Sequence, residues 1–222
     1  MRLVSFQLKS GDPLPTAHSR LDSPNTAVFL FGAPELISEK ERFKQIQQAY
    51  PQSIIVGCSS AGEIFGAGVF DRSLSVAIAQ FEGAKIRTAS IPINSTEGSF
   101  LAGQKLGDLL KAPDLKGLFI LTDGLCVNGS QLIRGVNSIV KDVVVTGGLA
   151  GDGPRFQSTW VIHEGQPTTK YVTAVAFYGE NIQIGHGSQG GWDIFGPERQ
   201  VTRSAGNILF ELDGKPALDI YK

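Results

Sequence analysis

Apolar and polar positions alternate, break and restart along this chain in a pattern that predicts a strand-rich α/β protein. Residues 2–8 set Leu3, Phe6 and Leu8 among polar neighbours with one slip of phase, the period of a strand. Residues 10–25, rich in Gly, Pro, Ser, Asp and Asn, predict a loop. Ala27-Val28-Phe29-Leu30-Phe31 is apolar throughout, as in a strand buried on both faces. Ser38 and Glu41 stand at capping-box spacing. Phe43, Ile46 and Tyr50 share one face of the helix that follows, and Pro51 ends it. Ile54-Ile55-Val56 completes a β-α-β unit, whose crossover favours parallel strands. Residues 74–81 and 85–91 predict a hairpin around Glu82-Gly83.

A helix over about 97–111 sets Ala102, Leu106 and Leu109 on one side, with Gly103 and Gly107 weakening it. The pattern then restarts. Gly117-Leu118-Phe119-Ile120-Leu121 predicts a buried strand. Asn128 or Ser130 caps a helix that turns Leu132, Val136, Ile139 and Val140 inward. Val143 to Val145 predicts the next strand. A strand at 159–163 follows, then a hairpin of 170–178 and 181–186 turning at Gly179-Glu180. The order strand, helix, strand, turn, hairpin thus occurs twice, over about 27–91 and 117–188. The expected fold class is α/β: internally duplicated β-α-β plus hairpin units forming a mixed parallel and antiparallel sheet flanked by helices.

The expected division is one domain over 1–190 and a connecting segment over 191–222. In that segment Ile208 to Leu212 predicts a strand, Asp213-Gly214 a tight turn, and Pro216 the first residue of a helix. The helix's apolar face has only begun when Lys222 is reached, so the natural chain is expected to continue into a further domain.

Two glycine-rich turns carry the candidate chemistry: Gly57-Cys58-Ser59-Ser60-Ala61-Gly62-Glu63 and Thr146-Gly147-Gly148-Leu149-Ala150-Gly151-Asp152-Gly153. Each follows a β-branched run, and Ala61-Gly62-Glu63 is echoed by Ala150-Gly151-Asp152. Ligands of open sheets sit beyond the carboxyl ends of strands, where both turns and Thr122-Asp123-Gly124 fall. A shared crevice is therefore expected there, with Cys58, Ser59, Ser60, Asp123, Gly148, Asp152 and Trp192 as ligand-binding residues. The same acids also suit a plainer role, satisfying turn amides, and Asn128 a helix cap.

The first turn departs from a nucleophile elbow, because Ala61 stands where the second glycine belongs. An enzyme acting through Cys58 or Ser59 would also lack a general base tied to the turn. The second turn lacks the helix that a dinucleotide cradle requires, and no Gly-Lys-Ser/Thr occurs. His18, His163 and His186 have no metal-ligand spacing. His186 ends a predicted strand among small residues, beside Trp192. It reads either as a polar strand end or as an axial ligand to haem.

Composition narrows the partners. The 222 residues carry 20 Lys plus Arg against 21 Asp plus Glu, a formal net charge of −1, without a basic block. No electrostatic footprint for nucleic acid is present. Two cysteines make no disulfide framework, and no apolar run approaches a membrane span. A cytoplasmic protein is expected.

Taken in order, these motifs resemble the FIST family, the sensory domain of bacterial signalling proteins and some eukaryotic F-box proteins. The matching stretches are Gly57 to Ile64, Asp123-Gly124-Leu125 and Gly147 to Gly153. Thr202-Arg203-Ser204-Ala205-Gly206-Asn207 and Glu211 to Leu218 in the tail match most specifically, so the likeness covers most of 27–222. The resemblance implies a non-catalytic module that binds a small molecule, such as an amino acid or another metabolite. It would report occupancy to a histidine kinase or another signalling protein. One bacterial branch resembles haem-containing nitric oxide sensors, with His186 as the axial candidate here. The resemblance also implies a second, C-terminal domain.

Overall fold

Side chains on alternate positions of a strand point to opposite faces, and that period of two sorts the apolar residues of 1–186 into three layers. The structure is a computed structural model. It describes every residue except Ser188, Gln189, Trp192 and Asn207, together with the side chains of Thr16 and Ala17. Two units are present, Met1–His186 and Gly187–Lys222.

The first half of the larger unit contains β1 (Arg2–Lys9), β2 (Thr26–Gly32), α1 (Lys40–Ala49), β3 (Ile54–Ser59), the small hairpin β4 (Glu63–Phe65) and β5 (Gly68–Phe70), and β6 (Ser73–Gln80). Its second half contains β7 (Lys85–Pro92), α2 (Ser99–Leu110), β8 (Leu115–Thr122), α3 (Gly129–Ile139), β9 (Val144–Leu149), β10 (Val161–His163), β11 (Gln166–Thr168) and β12 (Tyr171–Tyr178). The strands form two main sheets, ordered β1-β6-β2-β3-β10-β11 and β7-β12-β8-β9. The runs β1-β6-β2-β3 and β7-β12-β8-β9 have the same directions: antiparallel, antiparallel, then parallel.

Val28 and Leu30 of β2 pack outward with Phe43 and Ile46 of α1. Leu118 and Ile120 of β8 pack outward with Leu106 of α2 and Leu132 and Val136 of α3. The intervening positions, including Ala27, Val56, Leu121 and Val175, meet between the sheets. The result is helix, sheet, sheet, helix.

The structure corrects both expected hairpins. β6 lies between β1 and β2 and has no free edge for β7, which pairs with β12 in the other sheet. The link 81–84 therefore carries the chain from one sheet to the other. β12 is likewise flanked on both sides, by β7 and β8, and residues 181–186 form no strand. His186 thus does not end a strand; it lies exposed beyond one.

The expected capping box also fails to form: the Ser38 hydroxyl donates to the Glu35 carbonyl at 2.8 Å, and Glu39 stands at the cap position. Asn128 does cap α3, accepting from the Gln131 amide at 3.1 Å. Leu109 is exposed rather than inward. Gly103 is not a weakness of α2 but its contact with α3. A Cβ there would overlap the Leu132 carbonyl, and one on Gly135 would overlap the Phe100 carbonyl, so the two backbones meet directly.

The smaller unit holds β13 (Val201–Ala205), β14 (Ile208–Leu212) and β15 (Lys215–Pro216) in one antiparallel sheet, followed by α4 (Ala217–Tyr221). Asp213 and Gly214 turn at φ of 52° and 72°, and Pro216 caps α4 instead of opening it. Arg203 lies over the Phe210 ring at 5.0 Å and pairs with Glu211 at 3.0 Å.

Candidate functional site

The two glycine turns meet. β3 and β9 end at them, and the Gly151 amide donates to the Ser59 carbonyl at 3.0 Å. The Ser59 amide donates to the Trp160 carbonyl at 2.9 Å, and the Trp160 amide donates to Ser59 Oγ at 3.1 Å. Trp160 is fully buried, packs edge to face on Phe43 and donates Nε1–H to the Ala33 carbonyl. It anchors β10 on the first sheet, where Val161 pairs with Cys58. Sequence reasoning missed this anchor.

Backbone approach explains one glycine and leaves its neighbour free. Gly147 has φ of 134°, and a Cβ there would overlap the Ile120 backbone. At Gly148 a Cβ would meet nothing within 4 Å.

Three carboxylates stand near strand ends, and each is satisfied by the protein. Glu63 accepts from Ser60 Oγ at 2.8 Å and from the Ser73 amide and hydroxyl at 3.1 and 3.0 Å. Asp123 accepts from the amides of Leu125, Cys126 and Lys170. Asp152 accepts from the amides of Phe156, Gln157 and Ser158 at 3.1, 2.7 and 2.9 Å. The Ser158 and Gln157 amides hold its carboxyl below the usual aspartate range. All three are buried polar groups with full partners, the turn-stabilising arrangement.

The nucleophile reading loses its chemistry here. Burial pushes the Cys58 thiol up to about 12, and burial, aided by Asp123, pushes Cys126 up to about 11. Ser59 is buried, its hydroxyl accepting from Trp160.

Beside the joined turns lies a cavity of about 310 Å³. Ser60 and Asp152 line it, with Gly62 and Gly153. Cys58, Ser59, Asp123 and Gly148 do not. Trp192 falls outside the described residues. The exposed charge of this cavity comes from residues the sequence reading did not single out. Arg155 pairs with Glu35, and that hydrogen bond holds Glu35 below the usual glutamate range. Arg72 and Asp71 also line it, exposed; among the described residues neither side chain makes a hydrogen bond or close ion pair, though the Arg72 charge helps to lower Glu35. Arg72 sits at φ of 54°, an uncommon conformation for a non-glycine residue. Charged residues in a short turn look ordinary in sequence; only the fold brings them to the crevice.

The described histidines do not face a common pocket suited to haem. Among the described residues, no histidine lines the apolar cavity between the sheets. His18 stacks on Phe6, His163 stacks on Tyr171, and His186 is exposed. No cluster of His, Cys, Asp or Glu among the described residues could hold a metal ion, and no helix among them is long and apolar enough to cross a membrane.

The family model described as FIST N domain matches residues 26–215. The chain is also 25% identical over 205 residues to the "Uncharacterized protein MJ1623" of Methanocaldococcus jannaschii. That likeness takes in 83% of this chain, which spans 38% of the relative's length.

Proposed function

The chain belongs to the FIST N domain family, a family of signal-transduction sensory domains, and on that premise we propose that it binds a small zwitterionic metabolite in the crevice at the joined turns. The observation that carries this reading is the exposed pair Arg72 and Asp71, without hydrogen-bonded partners among the described residues, lining a cavity of about 310 Å³. Arg72 is a fork for a carboxylate, and Asp71 accepts from an ammonium group. An amino acid offers both.

Signalling requires the ligand to favour one conformation over another. The Arg155–Glu35 pair joins the loop after β9 to the turn after β2. A ligand carboxylate would compete with Glu35 for Arg155 and so loosen or re-aim that loop. The change would pass to a partner such as a histidine kinase in the cytoplasm. No bond-making step is assigned, because the buried thiol and hydroxyl lack activation.

A thermal-shift screen with amino acids and other small metabolites tests the reading. A hit should raise the melting temperature by mass action, and Arg72→Ala should abolish the shift. No shift with any of these compounds, or a shift unchanged in Arg72→Ala and Asp71→Asn, would refute it. The alternative, a haem-based nitric oxide sensor, predicts a saturable Soret band that changes in His186→Ala. The exposure of His186 favours the metabolite.

A further inference from the structure

A second cavity, of about 640 Å³, opens between the two sheets. Its wall is aromatic. Phe29 and Phe31 come from β2, Phe119 from β8, Phe81 from the link after β6 and Phe177 from β12. Phe29 meets Phe119 edge to face at 5.6 Å, and Phe81 meets Phe177 the same way at 5.2 Å. Elsewhere in this layer Ala27, Val56, Leu121 and Val175 are buried. Phe29, Phe31, Phe81 and Phe119 are only partly so. Contiguous apolar surface left in contact with water marks a binding site more often than a packing defect.

The remaining wall is a length of chain without strand partners. In Asn181 to Gly185 exposure alternates: Ile182 and Ile184 pack against the inter-sheet core, while Asn181 and Gln183 are exposed. Gly117 makes room for this segment, since a Cβ there would overlap the Ile184 side chain. The charges on the wall are Glu82 and the Met1 amino group, which pair at 3.6 Å, and the Glu82 carboxylate also takes Arg2 at 3.3 Å. Among the described residues of this wall there is no unpaired cation for an anionic ligand and no imidazole for a metal. Polar atoms come from Thr146, Asn181 and Gln183.

We propose that this cavity is a second ligand site, for a neutral fused-ring molecule carrying a single hydrogen-bonding group. Its ring system seats against Phe29, Phe31 and Phe119. Its polar group meets the amide of Asn181 or Gln183. The edge-to-face pairs suit such an occupant, because they leave ring faces open for offset stacking. Asn181 to Gly185 is the movable part of the wall and orders when the site fills. This site differs in kind from the charged crevice: one selects for charge, the other against it.

The test uses the neutral probe N-phenyl-1-naphthylamine with the whole chain. Fluorescence should rise saturably to one probe per chain. Thr146→Trp, which fills the cavity from an edge strand, should weaken binding about tenfold or more by overpacking. Ile182→Ser should weaken it several-fold by roughening the apolar wall, while Arg72→Ala should leave it unchanged. Hydrogen exchange at 181–185 should slow when the probe is bound. Unsaturable enhancement would overturn the proposal. So would wild-type affinity in both cavity variants, or loss of binding in Arg72→Ala. A sedimenting dimer that excludes the probe would instead give the cavity to a second copy of the chain.

Discussion

The two glycine turns share a sequence plan but do different work. In the first, Glu63 reaches past its own hairpin to Ser73 at the start of β6, so its carboxylate ties the turn to its own sheet. In the second, Asp152 reaches forward to the amides of 156–158 and shapes the loop that delivers Trp160 to the other sheet. One turn closes a sheet; the other joins two. The same signal, a strand followed by small residues and an acid, therefore marks architecture in both places. The groups free for ligand chemistry stand beside it, at Arg72 and Asp71.

Gly147 and Gly148 offer the sharpest way to break that comparison. Gly147→Ala should cost about 3 kcal/mol or more, because the Ile120 backbone must move and φ stays positive. Gly148→Ala should change stability by less than about 0.5 kcal/mol. Chemical denaturation of both variants checks this, and equal losses would remove the assigned backbone contact.

Asp152→Ala comes next, at about 2 kcal/mol, for the part-buried amides it leaves without an acceptor. The sign of the pH effect follows from its lowered carboxyl. Asp152 stabilises the fold at every pH above the ordinary aspartate value, and that contribution is lost as pH falls through the folded value. Stability should therefore drop on acidification below about pH 4, and Asp152→Asn should flatten the drop. Glu35 has the same sign through Arg155, but the pair is exposed, so Glu35→Gln should leave the acid limb almost as steep.

The smallest effect concerns reactivity. At pH 8 the Cys58 thiol stays protonated and buried, so iodoacetamide should modify it only after unfolding. Rapid labelling of the native protein, read by mass spectrometry, would return the first turn to the nucleophile reading.

Much of the scaffold was legible. The runs at 27–31, 54–56 and 117–121 are strands, and the run at 143–145 enters one at Val144, because continuous apolar residues between breakers have no better use. Asn128 read correctly as a cap, since its side chain is the right length to reach the Gln131 amide. Partnership was not legible. β6 and β7 are adjacent in sequence and both apolar enough to pair, but nothing in either says that β1 and β2 already occupy both edges of β6. At the site, glycine and serine spacing singled out Ser60 and Asp152, which line the crevice, and also Cys58, Ser59, Asp123 and Gly148, which do not line it. Arg72 and Asp71 escaped notice because a charged turn carries no periodicity.

The most direct test of the crevice is an amide-resolved NMR titration with the strongest hit of the metabolite screen. The account predicts saturable shifts centred on Ala61, Gly62, Arg72 and Gly153, absent in Arg72→Ala. Shifts that leave these amides still and gather elsewhere would contradict it.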